Sequence, residues 1–352
     1  MNITRLMNIL DHYNEANILV IGDFFLDSYM TIDRKLSIKS LETDLEAYQV
    51  TSLRKTPGAA GSVAANLRSL DINVIALGVT GEDGNGYDLR KCLKNIHVDV
   101  QSLIKCPEIY TSTYNKPIMR EIDGMEHEIN RLDIENRFPL PVGIEQKIIE
   151  QLYKILPSVQ CVLVLDQIQD ANCGTITDRV REEVIKLAQA NPSKYFIVDS
   201  RKRAGLFQDV ILKINLHEAM NVAGIIGKST LEDQRDIYEC CLNIYRKNRG
   251  PIVITRGKSD SIVFNGPNEP IIKIPTASAK KPIDVVGAGD SFLASMGTSL
   301  CAGASLEEAA IIGNITASIV IQQIGTTGTA SRKEIVERFK IYSEYTKSQS
   351  NI

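Results

Sequence analysis

A chain of 352 residues, 43% hydrophobic and 24% charged, has globular composition and enough length to bury a full core. Its net charge of −3 excludes the basic surplus that nucleic acid or an acidic membrane surface would call for. Seven cysteines without a C-x-x-C pair and only four histidines form no zinc framework; they read as free thiols of a reducing cytoplasm.

Residues 1–17 mix acidic and polar positions among apolar ones and lack a signal-peptide core, and no apolar run reaches about 18 residues. From there short apolar runs alternate with stretches of helical period. Strands are predicted over 18–21, 74–79, 161–165, 195–198, 210–214, 252–255, 261–264 and 271–274. Helices are predicted over 62–70, 87–95, 177–190 and 229–247, and the last third turns helical over 287–302, 306–323 and 332–345. This alternation implies an α/β fold with a mostly parallel central sheet covered by helices on both faces. Two polar segments, 28–55 and 111–133, interrupt the rhythm. They predict a small antiparallel β-lid over a pocket, with decorative hairpins as the plainer reading. No repeat or long linker divides the chain, so one domain over 1–352 is expected.

The most informative stretch is Asp284-Val-Val-Gly287-Ala288-Gly289-Asp290, between a predicted strand and a helix of small and apolar residues. Gly287 and Gly289 permit tight backbone geometry. A helix start presents unpaired N–H groups and a positive dipole end, where phosphate oxygens are held. Asp290 falls beside that anion site. A helix cap explains an Asp there, but not the glycines before it. A base next to an anion hole is what phosphoryl transfer to an alcohol requires.

This segment resembles the C-terminal signature of the ribokinase-like (PfkB) carbohydrate kinases, and the likeness runs along most of the chain. Val20-Ile-Gly-Asp23-Phe-Phe-Leu-Asp27 resembles that family's opening strand. Pro57-Gly58-Ala59-Ala-Gly61-Ser62-Val-Ala-Ala-Asn66 resembles its glycine-rich signature, Gly78 to Gly86 its G-x-x-G-x-D-x-x-G turn, and Lys213-Ile-Asn215-Leu-His-Glu218 its K-x-N-x-x-E motif. Within the family the chain is most similar to heptose-7-phosphate kinases, including the kinase half of bifunctional ADP-heptose synthases. That similarity rests on 162–166 with 174–177, on Asn130-Arg131-Leu132-Asp133, and on Thr255-Arg256. No nucleotidylyltransferase half is expected, since the chain ends at Ile352.

The resemblance implies a kinase that uses ATP and Mg²⁺ to phosphorylate a hydroxyl of a sugar or sugar phosphate. It makes Asp290 the catalytic base and Gly287, Ala288 and Gly289 the anion hole. It assigns Asp23, Asp27, Gly58, Ser62, Asn66 and Asp166 to the sugar. Asn215, Glu218, Thr255, Gly257 and Asn314 go to the nucleotide, with Glu218 ordering Mg²⁺ indirectly. Asp284, Val286, Gly325 and Thr329 match positions that hold K⁺ in many relatives. Each residue also has a plainer reading as a loop cap, turn glycine, capping pair or solvated helix residue.

The signature departs from the family at Ala59, where a second Gly is usual, and at Ser62, where Asn is usual. The segment 34–42 lacks the two prolines of the heptose kinases' lid strand. A heptose phosphate leads as substrate, with another hexose, a ketose or a nucleoside open. The competing class is a non-catalytic sugar or nucleotide sensor on the same fold. A nicotinamide dehydrogenase is excluded, because no G-x-G-x-x-G turn follows the first strand. A homodimer through the edge of the lid is expected.

Overall fold

The computed structural model describes residues 1–228, 230–279 and 281–350. The strands in chain order are β1 (Asn17–Gly22), β2 (Phe24–Asp33), β3 (Ile38–Lys39), β4 (Glu46–Ala47), β5 (Val50–Ala59), β6 (Asn73–Gly81), β7 (Leu103–Cys106) and β8 (Thr113–Arg120). They continue with β9 (Glu126–Glu128), β10 (Leu132–Ile134), β11 (Cys161–Asp166), β12 (Tyr195–Ser200), β13 (Ile211–Asn215), β14 (Ile252–Arg256), β15 (Ser259–Phe264) and β16 (Ile272–Ile274). The helices are α1 (Ile3–Asp11), α2 (Ala60–Ser69), α3 (Gly84–Asn95), α4 (Val142–Ile155), α5 (Asp178–Ala190), α6 (Leu216–Ala223), α7 (Gln234–Asn248), α8 (Ala288–Cys301), α9 (Leu306–Val320) and α10 (Arg332–Ser350). Position 229, where a helix was expected to begin, lies outside the described residues. Helices α1 and α4 were not anticipated.

Among the described residues the main sheet has nine strands in the order β16-β15-β14-β13-β12-β11-β1-β6-β7. From β7 to β14 every pairing is parallel, and β15 and β16 add antiparallel at one edge. Alternate residues of each central strand feed two separate cores. Ile18 and Val20 of β1 and Cys161 and Leu163 of β11 pack with α1, α2, α3, α8, α9 and α10. Leu19, Ile21, Val162 and Val164 pack with α4, α5, α6 and α7. Both faces being covered explains why these strands read as continuous apolar runs. Truncating one such side chain to Ala costs about 2–5 kcal/mol.

The second sheet runs β10-β8-β2-β5, with β9 also on β8. It is mostly antiparallel, as expected of the polar segments, but β2 and β8 pair in parallel because the chain reaches β8 only after crossing through β7. It also begins earlier than the polarity change, at Phe24, and ends later, at Ala59. The join from β1 to β2 depends on Gly22. Its φ is +153°, and a Cβ there would lie 2.2 Å from the Leu165 carbonyl oxygen. The glycine-rich signature therefore does not form a turn: Gly58 lies in β5 and Gly61 in the first turn of α2. No helix of the described residues is long and apolar enough to cross a membrane.

Candidate active site

Ligands of open α/β sheets gather beyond the carboxyl ends of parallel strands. Here those ends, the start of α8 and the inner side of the second sheet enclose a cleft of about 530 Å³. Asp27, Ser62, Asn215, Glu218, Gly287, Gly289, Asp290 and Val286 all line it.

Gly287 caps α8 in the left-handed region, at φ +80°, which suits a residue without Cβ. The Ala288 amide donates back to the Val285 carbonyl, and the Ser291 amide donates the first helical bond to the Gly287 carbonyl. The amides of Gly289 and Asp290 therefore lie in the turn where helical donors have no partner behind them. Lys213 lies directly beneath this turn: a Cβ on Gly289 would be 3.0 Å from its Nζ. The ammonium donates to Asp199 Oδ2 at 2.6 Å in a buried pair. Burial opposes the Lys213 charge, but Asp199 outweighs it and holds the group above its ordinary pKa.

Burial pushes the Asp290 carboxyl up to about 6; Asp199 adds to the rise, Lys213 and Arg201 oppose it, and Asp27 adds to it again. Asp27 and Asp290, far apart in the chain, thus feel each other's charge across the cleft. The Asp27 carboxylate is held from two sides. Lys116 of β8 donates to Oδ2 at 2.9 Å, and Gly58 leaves room for Oδ1, which a Cβ there would meet at 2.8 Å.

Asn215 and Glu218 form a reciprocal capping box at the start of α6, with bonds of 2.9 Å and 2.8 Å. The plainer reading of this pair holds, and both residues face the cleft as well. Burial, then Asp199, raises the Glu218 pKa. One Glu218 oxygen is engaged in the box. The other, with the Asn215 side chain, is a hard donor suited to hold Mg²⁺ through water. Among the described residues no group of three His, Cys, Asp or Glu forms a protein-only metal cage.

Other expected site residues turn inward. Asp23 is buried, and its carboxylate accepts from the amides of Gln167, Ile168 and Thr175 at 2.9, 2.9 and 2.7 Å. Burial, then Asp166, raises its pKa to about 6 against those three bonds. Asp166 pairs with Arg203 and accepts from Ser200 at 2.5 Å. Asn66 donates to the Ser62 carbonyl at 2.9 Å and sits under the 328 loop. Asn314 accepts from Ser261 at 2.8 Å and donates to the Pro275 carbonyl at 3.1 Å. These four stitch loops to the core and do not line the cleft. Thr255 stands beside Asn215 in register at the strand ends, its Oγ1 on the Ile214 carbonyl, and Gly257 makes the β14–β15 turn at φ +61°.

Three of the four expected K⁺ donors, Asp284, Gly325 and Thr329, accept hydrogen bonds from N–H groups. Asp284 Oδ1 faces the Val286 amide at 3.0 Å, and Oδ2 faces the Gly325 amide at 3.2 Å. The Gly325 carbonyl accepts from Arg54 at 2.9 Å, and the Thr329 carbonyl accepts from the Gln323 amide at 2.7 Å.

Several cleft residues escaped the sequence reading: Tyr114 and Glu128 of the second sheet, Gln167, Asp199 and Arg201. Asp199 had a signal, since it lies next to the last residue of β12, beside the strand end where Asp166 closes β11. Arg201 had none. Its Nε donates to Gln167 Oε1 at 2.8 Å. Lys116, Lys213 and Arg131 each pair with a carboxylate, whereas among the described residues Arg201 has no carboxylate within ion-pair distance.

The fold is ribokinase-like. Phosphofructokinase-2 from Escherichia coli in complex with potassium matches with a TM-score of 0.70 at 17% identity, covering 93% of this chain and 99% of that one. Arabidopsis thaliana ribokinase complexed with ribose and ATP matches with a TM-score of 0.65 at 19% identity, covering 92% and 99%. The family model "pfkB family carbohydrate kinase" matches residues 16–333, and the chain belongs to that family. That membership agrees with the family resemblance read from the sequence. The Bifunctional protein HldE of Vibrio vulnificus (strain CMCP6) is 28% identical over 331 residues, 94% of this chain. The chain spans 64% of that relative's length. An uncharacterized sugar kinase of Buchnera aphidicola subsp. Schizaphis graminum is 29% identical over 322 residues, covering 90% of this chain and 94% of that protein.

Proposed function

We propose that the chain transfers the γ-phosphoryl group of ATP to a hydroxyl of a sugar phosphate, with D-glycero-D-manno-heptose 7-phosphate the leading acceptor. The observation that carries the reading is Asp290: a carboxylate raised to about 6, in the first turn of α8, beside free amides and a buried ammonium. At neutral pH it is ionised and ready to accept the acceptor's hydroxyl proton. The Gly289 and Asp290 amides and Lys213 stabilise negative charge on the transferring group. Asp27 accepts sugar hydroxyls and is held in place by Lys116. Ser62 offers a single hydroxyl where relatives offer an amide, so the sugar contact there is narrower. Bound Mg²⁺, held through Asn215 and Glu218, would neutralise the triphosphate.

Arg201 supports a phosphorylated acceptor over a neutral one. It is a guanidinium in the cleft without a carboxylate partner among the described residues, and Arg131, stacked on Tyr114 at 4.1 Å, lines the same cleft. Guanidinium forks suit phosphate. The second sheet supplies Asp27, Tyr114, Lys116, Glu128 and Arg131 to the cleft, which supports reading it as a lid on one kinase domain. Its exposed Val50 and Leu53, with Ile38, Leu41 and Leu45 of the separate β3–β4 hairpin, support a homodimer through this part of the chain. Seven free cysteines support a reducing, cytoplasmic setting.

ADP release is measured over neutral sugars, sugar phosphates and nucleosides with Mg-ATP, for wild type and Arg201→Ala. A sugar phosphate should be accepted, and the variant should raise its KM about 10–100-fold while sparing the KM for ATP. Preference for a neutral sugar or nucleoside would refute the acceptor class. Binding of ATP and sugar without any ADP would establish a sensor instead.

A further inference from the structure

A monovalent-cation site needs oxygen donors aimed at one point. In this protein the Asp284 carboxylate and the Gly325 and Thr329 carbonyls already accept from N–H groups. Gly325 is clamped at both ends: its amide on Asp284, its carbonyl on Arg54. Arg54 comes from β5 of the second sheet. Its guanidinium lies over the Tyr29 ring at 3.9 Å, and its Nη1 reaches Thr326 Oγ1 at 3.4 Å. A cation drawn to the Gly325 carbonyl would sit beside this guanidinium and be repelled. The links run from Arg54 through Gly325 and Asp284 to the Val286 amide, one residue before the glycine that opens α8.

We propose that this kinase works without a monovalent-cation activator, and that Arg54 is the positioning residue that supplies the positive charge beside the entry to α8. The lid sheet thereby holds the anion-hole turn in place through a side chain. Relatives that use K⁺ would hold the same turn with an ion.

The full chain is followed as KCl replaces choline chloride at one ionic strength, by melting temperature and by initial rate with the accepted sugar. Wild type should show no K⁺-specific rise in Tm and less than about a twofold change in rate. A saturable K⁺-specific gain in Tm, or a gain in rate of about tenfold, overturns the proposal. Arg54→Gln should lower kcat about tenfold or more, whereas Arg54→Lys, which keeps the charge, should retain most of it. Wild-type kcat in Arg54→Gln removes the positioning role. Melting needs no turnover, so failure of the kinase reading and failure of this one are separate results.

Discussion

Replacing Asp290 with Asn keeps the side chain's shape and removes its charge, and the structure predicts opposite effects on activity and stability. Raising a carboxyl from its ordinary 3.8 to about 6 corresponds to about 3 kcal/mol of unfavourable charge burial at neutral pH. Asp290 keeps some solvent contact through the cleft, which brings the figure toward about 1–2 kcal/mol. The sign follows from proton counting. Between pH 3.8 and 6 the folded protein binds more protons at this site than the unfolded chain, so the wild type loses stability as pH rises through that window. Asp290→Asn is free of this penalty. It should melt a few degrees higher than wild type at pH 7.5, and the gap should close as pH falls toward 4. Turnover should drop by about two to four orders of magnitude, and wild-type kcat should itself fall as pH drops below about 6. Calorimetry over pH, with coupled ADP release, reads both. A variant that melts below wild type at neutral pH and turns over normally would refute the reasoning.

Two neighbouring substitutions in the glycine-rich signature should act oppositely. Gly58→Ala places a methyl against Asp27 Oδ1 and should cut kcat/KM for the sugar about tenfold or more, leaving ATP affinity intact by titration. Ala59→Gly frees a residue held at φ +51° and should raise stability by about 1 kcal/mol in urea unfolding. In the β3–β4 hairpin Leu41 is fully exposed, so Leu41→Glu should turn a sedimenting dimer into monomer at micromolar concentration; a wild type that sediments only as monomer would defeat the dimer.

The apolar runs of β1, β11, β12 and β13, the helical periods after them and the glycines before Asp290 were legible from residue order, because strand alternation, helix period and glycine's access to positive φ are local properties. They suffice for a doubly covered parallel sheet with an anion site at the start of α8. Which carboxylates meet the cleft was not legible. Asp23, Asp166 and Asp199 all lie at or next to strand ends, yet backbone amides and Arg203 engage the first two, while Lys213 brings the third to Asp290. Arg201 and Arg54 carry no motif at all; their roles depend on which partners the fold leaves unpaired or sets opposite. Charge pairing and burial depend on residues distant in the chain, so only the tertiary structure decides them.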